Sequence, residues 1–300
     1  MGHSIFDRYH PTVPLVYFLC VLSLSMIFFE PVSICLALAA GLALSGRLRG
    51  AWQTLRDLRW QLPFAALICL INPLFSAEGS TVLLSLGPSK VYAESLAYGF
   101  SMGALFVAVY VWSANMGKAI TTSKVQACLG RIAPTLALIL SMTLRLIPEI
   151  VRRGHEIDAL QKANTAIRKA SSNRSSDKTI SRTRLLSVLV GWSLELSFGS
   201  ADSMRARGWN CGAKRTSYQQ RRFRAQDGQT LGGIIVLAVL DALALAYVCS
   251  SFHFYPTMTS LSPWWYYLPH AALLGLPLIG QASEDITWSL AQSHMPEARA

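Results

Sequence analysis

The chain has 300 residues, of which 52% are hydrophobic and only 14% charged, and it carries a net charge of +11. Ordinary soluble domains have about 25% charged residues, so the deficit excludes that class and points to a polytopic membrane protein. The surplus of cations then becomes a question of which side of a bilayer they occupy, and no nucleic-acid partner is expected.

The start, Met1-Gly2-His3-Ser4-Ile5-Phe6, lacks the Ser or Thr at position 6 that N-myristoylation needs. Apolar runs follow at 13–29, 32–45, 62–75, 95–114, 231–251 and 265–280. A full span takes about 20 apolar residues. The first, fourth and fifth runs meet this comfortably, and the other three read as tilted or tightly paired. The first run follows a weak cationic region and has no small-residue cleavage site, so it reads as a retained span. About six spans are expected: four within 1–116, then a cytoplasmic region over 117–228, then two within 229–300.

The 27 Lys and Arg support this topology. Arg8 precedes the first run, and Arg47, Arg49, Arg56 and Arg59 separate the second from the third. Lys90 lies between the third and fourth, 20 cations fall within 117–228, and Arg299 is near the end. With the N-terminus inside, only Lys90 faces out, as the bias of Lys and Arg toward the cytoplasmic side requires. Residues 132–150 are also apolar and near span length. If they crossed, the nine cations of 151–184 would be exported, and Arg145 would enter lipid at a cost of about 2.5–3.5 kcal/mol. They are therefore expected to pack against the spans or lie along the inner face.

Within 117–228, Pro134 suits the first turn of an apolar helix, and Pro148 is expected to disrupt or kink its continuation. Arg152 to Ala170 reads as a polar helix, and Ser171 to Thr183 as a flexible loop. Leu185 to Arg207 reads as a long helix stopped by Gly208, since glycine accepts the left-handed cap conformation. Cys211 to Gly228 forms a basic exit loop. Cations near a helix C-terminus are ordinarily explained by the helix dipole. On local grounds, Arg207 therefore has a structural reading as well as a functional one.

The six cysteines show no CxxC spacing, and the six histidines are scattered without metal-ligand spacing. There is no phosphate-binding GxxxxGK[ST] loop and no GxSxG elbow. Neither a cofactor nor a catalytic step is expected. Asp241 falls in the middle of a span, where an interior hydrogen bond to a neighbouring helix is the simpler account beside a functional one. Trp264-Trp265-Tyr266-Tyr267 reads as an interfacial aromatic belt.

Several segments, taken in order, resemble the transmembrane coupling component of energy-coupling factor transporters, which is related to the cobalt and nickel importer subunits. Tyr9-His10-Pro11 is similar to that family's Asp-Pro opening, with His in place of Asp. Ile71-Asn72-Pro73-Leu74-Phe75 resembles its third-span end, Thr121-Thr122-Ser123 its Thr-Thr-Ser junction, and Leu144-Arg145-Leu146-Ile147-Pro148 its Leu-Arg-Phe-Ile-Pro run. Ala201 to Trp209, containing Ala206-Arg207-Gly208, resembles its second Ala-Arg-Gly motif, and Arg215-Thr216-Ser217-Tyr218 the Arg-Thr-x-Tyr that follows. The first Ala-Arg-Gly motif departs from the pattern. In Leu160-Gln161-Lys162-Ala163-Asn164-Thr165, Asn164 stands in the arginine's place and Thr165 in the glycine's.

The resemblance implies an all-α fold and a non-catalytic subunit in a bacterial or archaeal plasma membrane, with both termini inside. It implies that two motif helices dock on two cytoplasmic ABC ATPase subunits, and that a separate small membrane protein binds the vitamin or metal ion. The contact residues it implies are Ala206, Arg207 and Gly208, with Lys162, Ala163 and Asn164 at the degenerate motif, where Lys162 would supply the charge. Two alternatives remain. A membrane-embedded enzyme would need clustered acids, His or Cys in 117–228. A self-sufficient secondary transporter would need internal repeats and several buried charges.

Overall fold

The structure is a computed structural model that describes residues 9–75, 81–86, 89–209, 211–212, 223–254, 259–260 and 262–293, apart from 172–177. Its helices, in chain order, are α1 (Thr12–Ile27), α2 (Pro31–Arg49), α3 (Ala51–Phe75), α4 (Ala93–Ala119), α5 (Thr122–Ile132), α6 (Pro134–Ser171), α7 (Lys178–Ala206), α8 (Ala225–Ser251) and α9 (Leu268–Ser293). A two-stranded antiparallel hairpin, β1 (Val82–Leu86) and β2 (Ser89–Tyr92), precedes α4, and a short 3-10 helix, Trp264–Tyr267, leads into α9. The fold is otherwise all-helical, as the family resemblance implied. The chain divides into two compact units, Met1–Val125 with Arg221–Ala300, and Gln126–Gln220.

The first unit has a closed apolar core in which Phe18, Val21, Leu44, Trp112 and Leu273 are fully buried. Polar links between helices run through it. The Trp112 indole N–H donates to the Ala37 carbonyl at 2.9 Å, and the Asn115 amide donates to the Gly41 carbonyl at 3.0 Å. Gly41 is required there, because an added Cβ would lie 2.9 Å from the Trp112 Nε1. The Tyr17 hydroxyl donates to the Leu273 carbonyl at 3.1 Å. At the start of α2, Glu30 accepts from the Ser33 N–H at 3.0 Å ahead of Pro31, which is a side-chain cap joined to a first-turn proline.

Helices α3 and α4 approach closely through Gly99 and Gly103, four residues apart. An added Cβ would meet the Cys69 carbonyl oxygen at 2.8 Å from Gly99, and the Ala65 carbonyl oxygen at 2.8 Å from Gly103. Such GxxxG spacing lets membrane helices bring backbones together. Pro73 has no N–H to offer the carbonyl four residues back, which is the Cys69 carbonyl that faces Gly99. The Asn72-Pro73 segment and the glycine seam therefore meet at one point.

The second unit is built differently. The Arg153 guanidinium sits 5.2 Å from the Trp192 ring centre, and a Cβ at Gly154 would lie 3.7 Å from Leu189, so α6 and α7 touch there. None of the residues from 126 to 220 whose side chains are described is buried. Two expectations are corrected. Helix α6 runs unbroken through Pro148, so the proline does not disrupt it, and of the two expected effects only a kink remains. Helix α7 starts at Lys178, so part of the expected 171–183 loop is helical, while 172–177 lie outside the described residues.

Four described helical stretches are long and apolar enough to cross a membrane: Pro31–Arg49, Ala93–Ala119, Pro134–Ala163 and Ala225–Ser251. The third contains the segment expected to stay on the inner side. Helix α1 is apolar but has only 16 residues. Helices α3 and α9, which hold the third and sixth apolar runs, reach 25 and 26 residues but are not among the four. Their polar ends dilute the apolar runs.

Candidate functional site

The end of α7 is closed by a complete left-handed cap. Gly208 has φ +78°. Its N–H donates to the Arg205 carbonyl at 3.0 Å, and the Trp209 N–H donates to the Met204 carbonyl at 3.0 Å. This pair of bonds is the Schellman arrangement. The Arg207 N–H still donates to the Ser203 carbonyl at 3.2 Å, so Arg207 belongs to the last ordered turn. Met204 and Trp209 are half-buried, whereas Arg205, Ala206, Arg207 and Gly208 are exposed. Among the described residues neither guanidinium has an ion-pair partner. The cap thus holds a solvent-facing arginine on a backbone that does not fray, flanked by two small residues that leave room for an approaching surface.

The degenerate motif lies within α6. Lys162 is exposed and pairs along its own helix with Asp158, Nζ to Oδ2 2.6 Å. Ala163 is exposed, and Asn164 is helical. Among the described residues no hydrogen bond, ion pair or ring contact joins 162–163 to 206–208. Lys162 offers a cation already partnered at surface strength, whereas Arg207 does not. The two sites are unequal.

Two other quoted motifs act as junctions. Thr121 opens α5: its carbonyl accepts from the Lys124 and Val125 N–H groups at 2.9 and 3.2 Å, and its hydroxyl lies 3.1 Å from that of Ser123. The buried Lys124 ammonium donates back to the Ala119 carbonyl at 2.8 Å, which places a cation at the α4 C-terminus, where the helix dipole favours it. At the chain's opening, the His10 N–H donates to Asp227 Oδ1 at 3.0 Å, and the other carboxylate oxygen accepts from the Arg224 N–H at 2.9 Å. Asp227 is buried and pins the opening to the start of α8. Sequence reasoning missed it because one of its partners, His10, lies 217 residues away.

Asp241 and His270 form the buried polar contact that sequence reasoning favoured for Asp241. They are 0% and 1% exposed, with Nδ1 2.9 Å from Oδ2. The partner was not readable, since 29 residues separate the pair. Among the described residues, Asp241 Oδ1 and His270 Nε2 have no partner. The aromatic belt splits: Trp264 and Trp265 are exposed, but Tyr267 is buried and donates its hydroxyl to Glu30. Among the described residues no three His, Cys, Asp or Glu gather as a metal site. In α5, burial pushes the Cys128 thiol above its ordinary range, which makes it a poor nucleophile. None of this assembles a catalytic constellation.

A family model described as "Cobalt transport protein", CbiQ, matches residues 3–218. A relative from Listeria innocua serovar 6a, "Energy-coupling factor transporter transmembrane protein EcfT", is 31% identical over 189 residues, covering 59% of this chain and 69% of that protein.

Proposed function

Because the chain belongs to the CbiQ family of cobalt transport proteins, non-catalytic membrane transport subunits, we propose that it is the coupling subunit of an energy-coupling factor importer. In this reading it joins two cytoplasmic ABC ATPases to a small membrane protein that binds a vitamin or metal ion. The cationic face carrying α7's end lies in the cytoplasm, together with both termini. Arg207 is the principal contact, with Ala206 and Gly208 letting the partner's backbone approach. The observation that carries this is the cap: an exposed arginine without an internal partner, held on a closed helix end. A guanidinium offers five donors in a rigid fork suited to carboxylates. The degenerate site at Lys162, Ala163 and Asn164 contributes less, because Lys162 already pairs with Asp158.

Affinity purification of the tagged chain with candidate ATPases, together with uptake in whole cells, tests the proposal. Truncating one partner of a buried interfacial charge pair costs enough to lower affinity by roughly tenfold or more. Arg207→Ala should therefore lose most ATPase recovery and uptake while inserting normally. Arg205→Ala and Asn164→Ala should be milder. Wild-type behaviour of Arg207→Ala in both assays would leave only the capping role.

A further inference from the structure

Helix α3 changes character along its length. Its second half is apolar, while its first turns combine aromatic rings with cations: Trp52, Arg56, Arg59 and Trp60. At 3.6 residues per turn these four lie within about 100° of one another around the helix. Their side points away from α4, because Ala65, whose carbonyl faces Gly103, falls on the opposite one. All four are exposed, Trp52 at 82% and Trp60 at 73%. The one acid of α3, Asp57, is taken by Arg49. Among the described residues neither Arg56 nor Arg59 has an ion-pair partner. The face therefore carries two uncompensated charges between two indoles.

Depth selects the occupant. Ala37 and Gly41 of α2 accept from Trp112 and Asn115 of α4, so those two helices run parallel. Helix α3 runs against α4, with Cys69 at Gly99 and Ala65 at Gly103, and carries the chain back across. Beyond Trp60, the stretch from Gln61 to Phe75 rises only about 21 Å, against a hydrocarbon core of roughly 30 Å. A span that short draws its flanking residues into the interface. Arg56 and Arg59 are thereby held at the level of the lipid phosphates. A guanidinium binds phosphate through paired N–H bonds, and indole rings settle at the same boundary. Exposed Leu67 and Leu70 continue the face toward the acyl region. A zwitterionic lipid brings its own ammonium, whereas two unpaired arginines call for net negative charge. We propose that this face of α3 binds the headgroup of an anionic phospholipid, with its phosphate between Arg56 and Arg59 and its acyl chains along Leu67 and Leu70. The site is separate from the end of α7 and stands whether or not the coupling role does.

Native mass spectrometry of the purified full chain, equilibrated with mixtures of dioleoyl phosphatidylglycerol and dioleoyl phosphatidylcholine, tests the site. Wild type should retain phosphatidylglycerol in preference. Each cation beside a membrane surface is worth about a fivefold preference for anionic lipid. The double variant Arg56→Gln, Arg59→Gln should therefore lower the preference roughly 25-fold, with an unchanged thermal transition, since neither side chain has an ion pair to lose. Arg184→Gln with Arg205→Gln removes the same charge from exposed positions on α7 and should behave as wild type. A photoreactive residue at Leu55, exposed one turn before Arg59, should capture phospholipid in native membranes. Indifference of wild type to headgroup would overturn the proposal, as would an unchanged preference in the α3 variant or an equal fall in both double variants. Capture of a polypeptide instead of lipid at Leu55 would overturn it as well.

Discussion

The two units of this chain solve opposite problems. The Met1–Val125 and Arg221–Ala300 unit closes a core around Phe18, Trp112 and Leu273 and ties its helices with buried polar bonds. The Gln126–Gln220 unit has two long helices and no buried residue among those whose side chains are described. Its large apolar side chains are turned outward, with Leu160 at 66% and Phe198 at 70% exposure. Soluble monomers rarely expose contiguous apolar surface on this scale. The difference teaches that the first unit stores the stability, while the second offers surface to lipid or other chains. A substitution should thus be felt as lost folding in one and as lost association in the other.

The strongest way to break that contrast is at the buried pair. His270→Ala leaves the Asp241 carboxylate without its partner in the interior, and breaking one side of a buried pair costs about 3–5 kcal/mol. Removing both with leucines should recover most of it, because the expense lies in the polar group left unpaired in the interior. Unfolding of detergent-purified protein checks this. If the single variant matched wild type, the pair would not be a structural tie. Next comes packing. Trp112→Ala should cost about 3–5 kcal/mol, while Phe198→Ala, on the exposed surface of α7, should stay within about 0.5 kcal/mol. Equal losses would show that the second unit has a core of its own. The mildest test compares glycines. Gly103→Ala pushes a Cβ to within 2.8 Å of the Ala65 carbonyl, and such overpacking costs about 1–3 kcal/mol. Gly199→Ala meets nothing and should gain about 0.4–1 kcal/mol. A melting-temperature shift of the same sign for both would blur the distinction.

How much of this was legible follows from the range of each interaction. The stop at Gly208 could be read because a cap is local: the glycine and the cations before it lie within one turn. The Thr121-Thr122-Ser123 junction was marked by the family resemblance alone, and its role in opening α5 needed the structure. Asp241 could be assigned an interior partner, since a lone acid in a span demands one, but His270 could not be named. The hairpin before α4 was passed over, although the Gly87-Pro88 pair between two short apolar runs carries a turn signal. The Gly99 and Gly103 spacing was available too. Its meaning emerges only when Pro73 is seen to leave the Cys69 carbonyl bare against it. Whether Pro148 breaks its helix or only kinks it was not legible, because that depends on whether the surroundings can serve the freed carbonyl, and that is a tertiary property. The asymmetry at Lys162 was legible as chemistry, whereas its pairing with Asp158 needed a rotamer.

The closed cap of α7 also has a mechanical consequence. A helix of 29 residues is a rod about 44 Å long. With the last turn locked by the Gly208 and Trp209 bonds, a push on Arg207, as the proposed coupling role requires, would not be dissipated by unwinding and would travel along the rod. A tilt of only about 10° then carries the far end through about 8 Å, more than one helical turn. The points at which such a stroke could be absorbed are Gly191 and Gly199, where the rod is weakest. Their stiffness, more than the strength of the grip on Arg207, would decide how much of the motion arrives.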